Sequence, residues 1–375
     1  MKKKRSVFVF CFVSALFFLS GCQPASKPSF DCIPTDTFFS YPIDQWTADK
    51  PTPTLVPPEK NGWVLQSEDP QLASYGQMIA RDSDQIWLLG PNLQLYTKSN
   101  KQITRYDLEW NGKKGVPYSL FLARDNTLWA VWTLPEETMT ILSRYNDTSD
   151  RFEPVIDKGR LLVMNSLSGG RMAEDSKGHI WIIIPGTGLF VFDPLSLEAK
   201  KIDSSVLDSN LILGSIATDA NDDIWLNNFE NFQITAIYRY SPKDNTVTTL
   251  FLPENSNNIS GSILIDREDR LWIGDYAYWD IGAKIPAEGY SGLHLIVRPT
   301  VFITERVPFN DYYWVRAGLL FEDTYGGIWF KGGTLVRLDP ETGEWCKVFD
   351  AYTSAAQDNE GVFWAVSDGK IYSHD

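Results

Sequence analysis

The sequence predicts an all-β fold: a seven-bladed β-propeller closed by an N-terminal strand in its last blade. Three observations predict it. A short motif of Asp, polar turn and Trp recurs seven times. Its Trp residues lie 42, 52, 44, 47, 57 and 35 residues apart, close to the roughly 40–50 residues of a four-stranded blade. The last copy lacks a fourth strand, while an unpartnered strand-like piece, "GWVLQS" at Gly62–Ser67, precedes the first.

The motif copies follow in chain order. "RDSDQIWLLG" pairs Asp82 with Trp87, and "RDNTLWAVW" pairs Asp125 with Trp129, both across a shortened turn. Five copies keep a spacing of six: Asp175 and Trp181, Asp219 and Trp225, Asp266 and Trp272, Asp323 and Trp329, Asp358 and Trp364. An apolar stretch precedes each turn and an apolar strand carrying the Trp follows, which is a hairpin signal. The carboxylate can accept backbone N–H groups of its own turn. The Trp can fill the space between adjacent twisted sheets. A third strand follows, often ended by a second turn at Asp193-Pro194, Ser241-Pro242 or Asp339-Pro340, where Pro presets φ. A fourth, alternating strand such as "GEWCKVF" completes the unit. After Trp364 only "KIYSHD" remains, so Gly62–Ser67 is expected to supply the outer strand of the last blade. That pairing would close the ring and reduce exposed edges.

The Asp–turn–Gly–Leu/Ile–Trp pattern resembles the two-component-regulator propeller repeats of bacterial extracytoplasmic sensor regions. It is also similar to the streptogramin-lyase-like propellers. The resemblance spans about Gly62 to Asp375. It implies architecture, and the motif positions themselves read as structural. The lyase-like propellers use a His-and-Glu cluster near the axis, and no position here matches it.

The N-terminus is organised differently. Residues 1–21 read as a signal peptide that is removed: Lys2, Lys3, Lys4 and Arg5 precede a mostly apolar run from Val7 to Leu19. That run is shorter than the roughly 20 residues of a membrane span. "LSGC" resembles a bacterial lipobox, which implies cleavage before Cys22 and acylation of its thiol with chains such as palmitate. Residues 22–60 read as a Pro/Ser/Thr-rich tether, and 61–375 as the propeller. The predicted location is the cell envelope, lipid-anchored and facing the extracytoplasmic side. Removing residues 1–21 takes four positive charges from 34, leaving 30 against 48 acidic residues, a net charge of −18. Such a charge argues against nucleic acid as a partner. With Cys11 lost and Cys22 acylated, Cys32 and Cys346 remain. In an oxidising compartment they are either a disulfide or two separate buried thiols.

Residues for chemistry are sparse. His179, His294 and His374 are the three histidines, and no two stand at ligand spacing. No metal, cofactor or phosphate loop is expected; the acidic turns "DANDD" and "DREDR" lack the spacing of a calcium loop. The longer connections carry the aromatic residues instead. Loops between second and third strands share a face with the connections between blades. On that face fall Trp110, Trp132, Tyr276, Tyr278, Trp279, Tyr312, Tyr313 and Trp314, with Arg316 just inside the next inner strand. They are the candidate ligand-binding residues, against the alternative that they only pack long loops onto the wheel. The function expected is a non-catalytic binding or sensing propeller, a monomer on a membrane whose ligand is a protein partner or a glycan. The alternatives are a lyase or hydrolase acting at the channel mouth, and a structural spacer of the envelope.

Overall fold

A computed structural model describes residues 30–33, 62–72, 76–157, 160–161, 163–164, 170–208, 211–230, 233–250, 262–274, 292–296, 302–306, 318–331, 335–342, 344–349 and 354–375. The signal peptide and most of the tether lie outside these residues. Within them the fold is almost purely β, with one three-residue 3-10 turn at Pro135–Glu137 among the described residues.

Seven antiparallel sheets of four or five strands follow one another along the chain. They are numbered here in chain order. Sheet 1 contains Gln77–Ala80, Gln85–Leu89, Leu93–Thr97 and Gln102–Tyr106. Sheet 2 contains Val116–Leu122, Leu128–Leu134, Met139–Asn146 and Arg151–Pro154. Sheet 3 runs from Arg171–Glu174 to Glu198–Lys201, and sheet 4 from Leu213–Thr218 to Thr246–Leu250. Sheet 5 runs from Ile263–Ile265 to Phe302–Arg306, and sheet 6 from Gly318–Glu322 to Trp345–Phe349. Sheet 7 takes three strands from the end of the chain, Ser354–Gln357, Phe363–Ser367 and Lys370–His374. Its outer strand is Val64–Glu68, which pairs antiparallel with Lys370–His374. The first strands of successive sheets touch in cyclic order, and sheet 7 returns to sheet 1. This is a β-propeller.

The core lies between the sheets. Second strands are buried from both sides, as in Leu128–Leu134 and Ile180–Ile184, where every side chain is buried. The repeat Trp of one sheet meets an aromatic ring of the next. Trp87 packs on Tyr145 at 4.8 Å, Trp129 on Phe192 at 5.5 Å and Trp181 on Tyr240 at 5.9 Å. Trp329 stacks on Phe363 at 4.6 Å, and Trp364 meets Tyr96 of sheet 1 at 5.9 Å. A buried Trp removes about 150–250 Å² from water, so these rings join each twisted sheet to its neighbour.

Part of the expected tether is sheet structure. Asp31–Ile33 adds a fifth strand to the outer edge of sheet 6, with Cys32 opposite Cys346. Phe30 packs on Trp329, Phe363 and His374, with ring centroids 5.6, 5.7 and 4.8 Å apart. Trp63 is buried, donates its indole N–H to the Val348 carbonyl at 2.8 Å and packs on Phe349 at 5.1 Å. The two N-terminal strands therefore cover the outer edges of sheets 6 and 7, which would otherwise offer unpaired backbone groups.

Candidate functional site

The motif aspartates occupy equivalent sites in sheets 3 to 7. In each, Oδ1 accepts the backbone N–H groups two and four residues on. For Asp323 the donors are Tyr325 and Gly327, at 2.9 and 2.8 Å. Oδ2 accepts the indole N–H of the Trp six residues on, at 3.0 Å for Trp181, 2.9 Å for Trp225, 2.7 Å for Trp272 and Trp329, and 2.8 Å for Trp364. The residue three after the Asp has positive φ: Gly178, Asp222, Asp269, Gly326 and Gly361. Gly, Asp and Asn tolerate that region best, which explains the polar, Gly-containing turns of the sequence.

In sheets 5, 6 and 7 an Arg or Lys side chain completes the carboxylate. Asp266 receives Arg270 Nε at 2.6 Å, and Asp358 receives Lys98 Nζ of sheet 1 at 2.8 Å. Asp323, fully buried, receives Arg337 Nε at 2.6 Å, and Arg337 is itself only 1 % exposed. Asp219 has Arg239 Nε only at 3.9 Å, because that group donates to Asp223 Oδ2 at 2.7 Å. Asp175 has His179 Nδ1 at 2.8 Å. Burial pushes the Asp175 carboxyl up, but the hydrogen bonds from Trp181 and His179 outweigh it and hold the group below the usual range. His179 thus stands where Arg or Lys stands in sheets 5, 6 and 7. Among the described residues no group of three His, Cys, Asp or Glu is placed to hold a metal.

Sheets 1 and 2 correct the predicted frame. The turn bond from the first motif residue to the fifth runs from Arg81 N to Gln85 O at 3.0 Å, and from Ala123 N to Thr127 O at 2.9 Å. Both turns therefore keep the spacing of six to Trp87 and Trp129. Arg81 and Ala123 stand in the Asp position, and Asp82 and Asp125 are not its equivalents. Asp82 accepts the turn N–H groups of Asp84 and Gln85, and Asp125 that of Thr127. Trp87 donates to Gln85 Oε1 at 3.2 Å instead, and the buried Trp129 Nε1 has no partner among the described residues. Arg81 reaches across to sheet 2 and holds Asp147 through two bonds of 2.6 and 2.7 Å.

The same turns are tied to their neighbours. The backbone N–H after the motif residue donates to the next sheet: Arg124 to Glu174 at 2.8 Å, Ser176 to Asp222 at 2.6 Å and Ala220 to Asp269 at 2.9 Å. Arg267 donates to Glu322 at 2.9 Å and Thr324 to Gln357 at 2.7 Å. A belt of one-directional bonds thus joins sheets 2 to 7. Burial holds the Glu322 carboxyl above its usual range, despite the bond from Arg267.

Of the predicted ligand-binding residues, Trp132 does not reach the surface. It is 1 % exposed, its indole N–H donates to Ser143 Oγ at 2.7 Å, and it lies in the core between sheets 1 and 2. It sits on the central second strand, which is buried from both sides. Trp110, half-buried on the small hairpin Glu109–Trp110 and Lys113–Lys114, packs against the same core. Tyr276, Tyr278, Trp279, Tyr312, Tyr313, Trp314 and Arg316 lie outside the described residues. The strands flanking them, Leu271–Gly274, Gly292–Ile296, Phe302–Arg306 and Gly318–Glu322, are adjacent in sheets 5 and 6. His294 falls in Gly292–Ile296, and His374 packs between Phe30 and Trp63.

A concave surface missed by sequence reasoning lies at the hairpin-tip side of sheets 3 and 4. It is a groove of about 620 Å³ with Trp181, Val191, Ile202, Tyr240 and Pro242 among its apolar lining residues. Lys177, Lys200, Lys243, Asp193 and Glu198 also line it. Its residues come from two separate motif copies, so no contiguous stretch signals it.

Residues 253–277 match the two component regulator propeller family. The match covers the Asp266–Trp272 turn. No curated protein matches the chain. Among solved structures, the propeller is similar to virginiamycin B lyase from Staphylococcus aureus, at 14 % identity and TM-score 0.58 over 83 % of this chain and 97 % of that one. It is similar to the extracellular domain assigned to the hybrid two component system BT3049 from B. thetaiotaomicron, at 18 % identity and TM-score 0.60. That likeness covers 84 % of this chain but 41 % of the other. It is also similar to YCF48 bound to D1 peptide, at 11 % identity and TM-score 0.58, over 87 % and 99 % of the two chains. At these identities the likeness shows the fold alone, and the fold serves unrelated functions.

Proposed function

We propose that this chain is a lipid-anchored, extracytoplasmic propeller of seven blades, one per sheet, that binds a protein partner or glycan without catalysing a reaction. The observation that carries the binding reading is the saturation of the motif carboxylates. Asp323 accepts two turn N–H groups, an indole and an Arg, so the recurring acidic residues are consumed by the architecture. Recognition then falls to side chains outside the repeat. The aromatic connections of sheets 5 and 6 are the proposed surface, with Tyr276, Tyr278, Trp279, Tyr312, Tyr313, Trp314 and Arg316 as contacts; Tyr, Trp and Arg dominate binding hot spots. Acylation at Cys22 and export by residues 1–21 complete the reading. A Cys32–Cys346 disulfide is part of it, supported by their direct opposition in register and by Cys346 being disulfide-bonded.

The test is a binding screen of the purified protein against glycans and fractionated envelope proteins, with Tyr278→Ala, Trp279→Ala and Tyr313→Ala as controls. Each change should weaken capture by about 1 kcal/mol or more with the melting temperature unchanged. Capture that survives all three changes would move the site elsewhere. Unfolding would reassign these rings to the core.

A further inference from the structure

We infer that the propeller is strapped close to the bilayer, with the edge of sheet 6 as its membrane-proximal point and the face of the inter-sheet connections as the side from which the anchor is reached. The inference rests on the proposed acylation of Cys22, and adds to it a distance and an orientation. Phe30 is already docked, through rings of sheets 6 and 7. Only residues 23–29 separate it from Cys22. Eight residue steps span at most roughly 26–29 Å at full extension. The long tether read from composition is thereby reduced to a short leash.

Strand direction supplies the orientation. The outer strand Trp345–Phe349 leads into the first strand of sheet 7, so its Phe349 end lies on the face of the inter-sheet connections. Asp31 stands opposite Lys347 and Ile33 opposite Trp345. The antiparallel strand Asp31–Ile33 is therefore entered from that same face. The partner is a phospholipid surface, reached through covalent lipid rather than through a basic patch, which suits a chain of net charge −18 once residues 1–21 are removed (30 basic against 48 acidic residues). Two devices hold the leash short: the ring of Phe30, and the register that sets Cys32 against Cys346.

The test uses the full-length acylated protein in phosphatidylcholine vesicles that carry an acceptor-labelled lipid. Single donor labels go on Glu68→Cys and Leu195→Cys. Glu68 is exposed at the connection-face end of sheet 7. Leu195 is 93 % exposed on the third-to-fourth-strand turn of sheet 3, across the ring and on the opposite face. Energy transfer should be markedly stronger from position 68. Inserting a Gly/Ser leash of about 60 residues after Lys27, with an r.m.s. reach of roughly 40 Å, should abolish the difference without touching the folded ring. Phe30→Ala with Cys32→Ser should do the same by undocking the strand. Equal transfer from both positions in the native sequence would overturn the inference. So would a difference that persists with the long leash, which would mean that the ring itself adheres to lipid. Native protein that fails to stay with vesicles, or stays equally after Cys22→Ala, would instead sink the anchoring reading, and the inference with it.

Discussion

Replacing Ala123 by Asp should make the protein more stable. The site is the equivalent of Asp175, Asp219, Asp266, Asp323 and Asp358, because Ala123 makes the same turn bonds and stands six residues before Trp129. Trp129 is 3 % exposed and its indole N–H has no partner among the described residues. A buried donor without an acceptor costs about 1–3 kcal/mol. A carboxylate at 123 would accept that N–H, as Asp323 accepts Trp329 at 2.7 Å. Burying the new charge needs a cation, and Arg144 stands opposite Trp129 in register as Arg337 stands opposite Trp329. The turn N–H of Thr127 is already taken by Asp125 at 2.9 Å, so little is gained there. The net gain should be about 1–2 kcal/mol. The assay is guanidinium unfolding followed by Trp fluorescence, read as a rise in midpoint at unchanged slope. The same change in a Trp129→Phe background should gain much less. An equal gain in both backgrounds, or a loss in the first, would refute the assignment of the indole as the missing partner.

The other predictions concern the parts of the ring separately. Trp272→Ala or Trp329→Ala should cost about 3–5 kcal/mol, because each ring is almost fully buried; unfolding midpoints check it. Arg337→Ala should cost about 3–5 kcal/mol by leaving Asp323 buried and unpaired, and clearly more than Arg239→Ala, whose side chain is 36 % exposed; a smaller cost at 337 would show that the buried pair is dispensable. Deleting residues up to Lys60 should leave a ring weakened by the loss of Asp31–Ile33, whereas deletion through Ser67 also removes Trp63 and most of the closing strand and should lower the melting temperature much further. Reduction in the native state should release one cysteine pair and lower stability by about 5–6 kcal/mol in the chain-entropy model; peptide mapping that finds Cys32 and Cys346 unlinked before reduction would count against the bridge. Asp175 lies below its usual range in the folded state, so its contribution is present above the ordinary Asp value of about 3.9 and is lost as pH falls through the folded value. The acid limb of the melting-temperature profile should therefore be shallower in Asp175→Asn than in the native protein.

The architecture was readable because the repeat is enforced by a physical need that recurs: a carboxylate to organise a turn and an indole to fill a gap between sheets. The closing strand was readable by counting strands. The frame of the first two turns was not, because Arg81 and Ala123 replace the Asp and a nearby Asp stands one or two places later. The left-handed Asn126, three residues after Ala123, and the constant spacing of six to Trp could have located both. Asp31–Ile33 escaped notice because three residues show no alternation, and their pairing depends on an edge some 310 residues away, between Cys32 and Cys346. Trp132 was misplaced by reading a loop where the second strand of sheet 2 continues to Leu134.

The pairing of Val64–Glu68 with Lys370–His374 also sets an order of events in synthesis. Sheets 1 to 5 each use one contiguous stretch of chain and can begin to form as that stretch emerges. Sheet 7 must wait until Ser373 has been made, because its outer strand was produced about 300 residues earlier and has no sheet to join until then. At about 5–20 residues per second, the early strand stays unpaired for roughly 15–60 seconds. Trp63, only 1 % exposed in the finished ring and hydrogen-bonded to Val348, likewise lacks its partners until sheet 6 has been made.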